Sequence, residues 1–127
     1  MKKIVLQIIS GIYAIIIGIG IISLWVMLLL TNQVPELKTQ HIAIRFHITA
    51  EMIMGILSLL SGILLLTRLS WASSLFILAM GLIIYAVINS AGYYAQKKQW
   101  AFVLMFSIIL IASVSLVILN LLNFQLP

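Results

Sequence analysis

His47 and Glu51 stand four residues apart in a stretch that is otherwise mostly apolar. Positions i and i+4 share one face of a helix. An imidazole and a carboxylate placed so can share a proton, hold a polar ligand, or lock one helix to its neighbour. The chain contains only two acidic residues, Glu36 and Glu51, and only two histidines, His41 and His47. Ionisable groups inside a membrane span are expensive, so each is a functional hypothesis by default. Burial favours a neutral Glu51 carboxyl, whereas Arg45 or a protonated His47 favours the carboxylate. A carboxyl balanced between those influences can exchange a proton. The structural alternative is polar glue between helices, worth about 0.6–2 kcal/mol per contact. The residues leave both readings open.

The elements that must position this pair follow from composition. Of 127 residues, 65% are hydrophobic and 7% charged. A soluble domain is about half apolar and about a quarter charged, and a chain this short cannot hide such an excess in its own core. Its solvent is therefore expected to be lipid. A spanning helix needs roughly 20 apolar residues. The sequence has room for four, at about residues 4–30, 41–66, 71–94 and 100–124. The first apolar run is longer than a secretory signal's, about 7–15 residues, and reads as a retained span. Pro35 and Glu36 suit the first turn of a new helix. Short connections force neighbours to run antiparallel, which gives an all-α, up-down-up-down four-helix transmembrane bundle in one membrane domain.

Helical periodicity then assigns faces. Gln40, His47, Glu51, Gly55, Ser58 and Gly62 form one stripe on the second span. Ser74, Gly81, Tyr85, Asn89, Gly92 and Gln96 form another on the third. Polar and small stripes are expected to face other helices. Counting from the Arg68 turn at about 1.5 Å per residue puts Glu51 and Asn89 within about a turn of the same depth. The expectation is a polar pocket in one leaflet formed by His47, Glu51, Ser58, Tyr85, Asn89 and Tyr93. Met105, Ser107, Trp25 and Thr31 should lie near its level. The opposite half of the bundle reads as aliphatic, with Gly11, Ala14 and Gly18 as a packing seam. Asn120 and Asn123 read as exit residues of the last span.

The remaining charges restrict function by their scatter. The seven basic residues give a net charge of +5, but a nucleic-acid footprint needs a clustered basic face. His41 and Arg45 read as interfacial residues that snorkel to lipid head groups. Trp71, Trp100, Tyr93 and Tyr94 read as an aromatic belt. With no cysteine, thiolate sites are excluded, and His47 with Glu51 falls short of the three or four ligands a metal site needs. No cofactor is implied. No nucleophile stands with a base and an orienting group, so an enzyme is not expected. Lys and Arg are nearly balanced across the two sides. The expected location is the cell membrane, multi-pass, with a cytoplasmic N-terminus or dual topology. The lipid bilayer and a second copy or a membrane-protein partner are the expected partners. Binding or assembly, as an accessory subunit, a sensor or a lipid-binding element with its polar pocket around His47 and Glu51, leads as the function class. A small proton-coupled transporter or proton-conducting oligomer using Glu51 is the alternative.

The stretch Arg45-Phe46-His47-Ile48-Thr49-Ala50-Glu51, with Ser61-Gly62 later in the span, resembles the F-H-x-x-x-E pattern of small four-span prokaryotic membrane proteins without assigned activity. The resemblance covers about a fifth of the chain and implies that His47 and Glu51 act as a unit. Size and span count are also similar to small multidrug-resistance transporters, which are dual-topology dimers with one membrane glutamate. Their glutamate lies in the first span. Here the first span has no acid, so that likeness is architectural.

Overall fold

The computed structural model describes residues 2–124. Four long helices and one short one follow in order: α1 (Lys3–Leu30), α2 (Glu36–Thr39), α3 (His41–Leu66), α4 (Ala72–Gln96) and α5 (Trp100–Phe124). Each long helix has the length and apolarity to cross a membrane. Pro35 precedes α2, the polar turn that leads into α3. Gln40, at φ −134° and ψ 52°, breaks α2 from α3.

Three helices stop in the same way. Asn32, Arg68 and Lys98 take positive φ of 55°, 64° and 58°. Each follows its helix as the left-handed residue of a Schellman turn. The closing bonds run Gln33 N to Leu28 O, Leu69 N to Leu64 O and Gln99 N to Tyr94 O, at 2.9, 3.3 and 2.9 Å. Glycine is the usual residue there, because a side chain in this region is strained. Arginine and lysine occupy two of the three sites, where the negative end of a helix favours a cation.

The tightest packing joins α1 to α3. Gly18 meets Gly55 and Gly11 meets Gly62, so the two helices run antiparallel with backbones in close approach. A Cβ built on Gly62 would fall 2.6 Å from the Gly11 carbonyl oxygen, and one on Gly18 would fall 2.7 Å from that of Gly55. The small residues read as a seam are indeed one. Helix α4 packs on α5 and also on α3, with Phe76, Met80, Ile83 and Val87 buried in the core.

Polar side chains join α1 to α5. The Tyr13 hydroxyl donates to Ile109 O at 3.1 Å and lies 2.7 Å from Ser113 Oγ. Asn120 donates to Ser10 Oγ at 2.9 Å. Ser10, Ser58, Ser61, Ser113 and Asn120 are all buried. Among the described residues no buried side-chain polar atom lacks a partner. This corrects the aliphatic reading of that half of the bundle: Asn120 is an interior bridge, not an exit residue.

Candidate functional site

His47 and Glu51 lie on α3, and Trp25 reaches them from α1. His47 Nε2 is 2.7 Å from Glu51 Oε2. Trp25 donates its indole N–H to Glu51 Oε1 at 2.8 Å. The Trp25 and His47 rings meet edge to face, centroids 5.8 Å apart. Both carboxyl oxygens therefore have a polar partner. Glu51 is ten residues into α3, or about 15 Å along it at 1.5 Å per residue. Its side chain is 16% exposed, whereas that of His47 is 50% exposed. The carboxyl is thus screened, and the imidazole stands between it and the surface.

An open groove of about 300 Å³ leads to this imidazole. It is lined by Glu36, Gln40, Ala43, Ile44 and His47. A carboxylate that holds one imidazole nitrogen orients the ring and sets its tautomer. With Nε2 committed to Glu51, Nδ1 is the atom left for a proton or a hydrogen-bonding ligand. Among the described residues no three metal-ligating side chains cluster.

The other residues of the expected pocket go elsewhere. Tyr85 is 69% exposed and Asn89 is exposed, and neither reaches Glu51. The reason is the rotation of α4. Its buried positions, Phe76, Met80, Ile83 and Val87, lie about 180° around the helix from Tyr85 and Asn89 at about 100° per residue. Packing of that large apolar face on α3 and α5 turns the polar stripe outward. Ser74, Gly81, Gly92 and Gln96 are exposed with it, and a Cβ on Gly81 or Gly92 would meet nothing within 4 Å.

Ser58 is buried but donates to Ala14 O at 2.8 Å, as part of the α1–α3 seam. Tyr93 stands at the rim, where its hydroxyl donates to Glu36 Oε1 at 3.2 Å. Lys97 lies 4.3 Å over the Tyr93 ring. The Tyr93 side chain beside it holds the Lys97 pKa above lysine's ordinary value. His41 and Arg45 are exposed at the start of α3. Met105 is exposed, Ser107 bonds back to Val103 O, and Thr31 bonds back to Met27 O.

Trp25 is the member that the stripes alone do not assign to the site. The glycine seam carried the signal. With Gly11 opposite Gly62 and Gly18 opposite Gly55, one further step of seven residues puts Trp25 opposite Ile48, between His47 and Glu51.

Four antiparallel helices of spanning length, with a carboxyl held between an indole and an imidazole, define the class: an all-α four-helix bundle compatible with membrane insertion. The chain belongs to the family DUF8058, a domain of unknown function, whose model matches residues 4–126. No curated protein and no solved structure matches it.

Proposed function

We propose that this chain is a multi-pass integral membrane protein of binding and assembly. It pairs with a second copy through the outer face of α4 and binds a polar group at Trp25, His47 and Glu51. The observation that carries the reading is the outward place of Asn89 and Tyr85. Asn89 lies about 10 Å inside the Gln96 end of α4. A primary amide facing hydrocarbon at that depth has lost its water partners. An amide both donates and accepts, so two copies of Asn89 can satisfy each other across a two-fold axis. Gly81 and Gly92 flank it and permit close backbone approach.

The test is oligomer mass in native mass spectrometry from lipid nanodiscs. Asn89→Leu should weaken the dimer about tenfold, since such a bond is worth about 1–2 kcal/mol. Gly92→Ile should act in the same direction by blocking approach. A wild-type monomer, or a dimer indifferent to both changes, refutes pairing through this face.

A second reading draws on the groove that connects Glu36 to His47. It gives the imidazole access from the rim, as proton exchange through Glu51 requires. In liposomes with an imposed pH step, wild-type protein should then carry proton flux, and Glu51→Gln should abolish it while the dimer persists. Wild-type liposomes no leakier than empty ones would remove this reading. The N-terminus is assigned to the cytoplasm, with dual topology open to a tag-accessibility measurement.

A further inference from the structure

The end of the bundle remote from α2 holds a second polar feature. The start of α1, the α3–α4 turn and the end of α5 enclose a cavity of about 470 Å³. Its polar lining includes Lys3, Gln7, Arg68, Ser73, Asn120 and Asn123. With Ser70, the described lining presents two cations, three amides and two hydroxyls, and no carboxylate. The two acids of the chain lie elsewhere, Glu36 on α2 and Glu51 well inside α3. Among the described residues the single ion pair is His47–Glu51, and no described carboxylate pairs with Lys3 or Arg68.

The backbone adds donors. Helices α1 and α4 both begin at this cavity, and neither Lys2 nor Trp71 caps its helix with a side chain. At the start of α4 the Ala72 N–H is taken by Leu69 O at 3.2 Å, which leaves the next N–H groups of α4 and the first of α1 for another acceptor. The carbonyls at the end of α3, by contrast, are closed by the turn at Arg68 and by Thr67, whose hydroxyl donates to Leu64 O at 2.9 Å. Asn120 is fixed by its bonds to Ser10 and Leu116, which makes one wall of the cavity rigid.

A cavity whose described lining holds two cations, the Gln7 amide and serine hydroxyls matches a phosphate group. We propose that this cavity binds the phosphate of an anionic membrane lipid. The lipid source is favoured by position. The cavity sits where the span-length helices end, and Ile4, Leu69 and Trp71 are exposed beside it, placed to meet acyl chains. Basic side chains at this depth are each worth roughly fivefold in affinity for an anionic surface.

The experiment is native mass spectrometry of the full chain released from nanodiscs of equal phosphatidylglycerol and phosphatidylcholine. Wild-type protein should keep phosphatidylglycerol in preference. Lys3→Gln/Arg68→Gln should keep about thirtyfold less, and each single variant about fivefold less. Lys97→Gln, at the other end of the bundle, should behave as wild type. Helix content by circular dichroism checks the fold of each variant, and the single variants carry the test if the double one unfolds. Inorganic phosphate in millimolar excess separates the sources. Displacement of the bound lipid makes the head group the whole determinant, and persistence gives the acyl chains a share. Equal retention of the two lipids by wild type, or undiminished retention by the basic variants, overturns the proposal. Phosphate binding without phosphatidylglycerol retention overturns the lipid assignment.

Discussion

Gly62→Ala should destabilise the bundle by about 2–3 kcal/mol, the upper part of the range for an overpacked core, while Gly20→Ala should be neutral or slightly stabilising. The added Cβ at position 62 would stand 2.6 Å from Gly11 O, 2.7 Å from Ile15 Cγ1 and 3.0 Å from Ile15 N. Two of those atoms are backbone, so the clash cannot be relieved by a rotamer change. Helix α1 would have to move away from α3 along the seam. Gly18→Ala meets the same obstacle, 2.7 Å from both Gly55 O and Leu59 N. At Gly20 nothing lies within 4 Å, and alanine is the better helix former by about 1 kcal/mol. Thermal unfolding in detergent, followed by far-ultraviolet circular dichroism, makes the comparison. Equal melting of the Gly62 and Gly20 variants would show that α1 and α3 do not pack through glycine.

The second large effect concerns the carboxyl. Trp25→Phe and Glu51→Leu should each lose about 1–3 kcal/mol, the penalty for leaving a screened polar group without its partner. The double variant should lose much less than the sum, because both changes remove one bond. Glu51→Gln should be milder than Glu51→Leu, since an amide oxygen still accepts from the Trp25 indole. Tryptophan fluorescence gives an independent readout of the Trp25 indole in Glu51→Leu. Strict additivity of Trp25→Phe and Glu51→Leu would mean that the 2.8 Å bond between them contributes nothing to holding α1 on α3. The site would then rest on the His47–Glu51 pair within one helix.

The two experiments separate the roles of one interface. The glycine seam sets how close α1 and α3 approach, and the Trp25–Glu51 bond fixes their polar contact at that spacing. A shift in the seam therefore moves the indole relative to the carboxyl, so Gly18→Ala should also weaken the polar-group binding proposed for His47 and Glu51.

Much of the molecule is legible in the amino-acid order alone. Hydropathy determines four span-length helices, because apolar runs of 25 residues have few other soluble or membrane outcomes. Helix α3 spans His41–Leu66, between polar breaks visible at Gln40 and Thr67. Spacing determines that His47 and Glu51 meet, because i and i+4 are neighbours on any helix. It also determines that Gly11, Ala14 and Gly18 share a face. The tertiary structure decided the rotation of each helix about its own axis, and with it the membership of the site. On α4 two faces compete to be inside. The small and polar one argues for interhelical contact, and the one bearing Phe76, Met80 and Ile83 offers larger apolar volume. Which face wins depends on the shapes presented by α3 and α5, and no spacing within α4 encodes those. The same dependence on partners put Trp25 on Glu51, Ser58 on Ala14 and Asn120 on Ser10. Each is a contact between residues at least 26 positions apart, and its formation follows from the register of two packed helices.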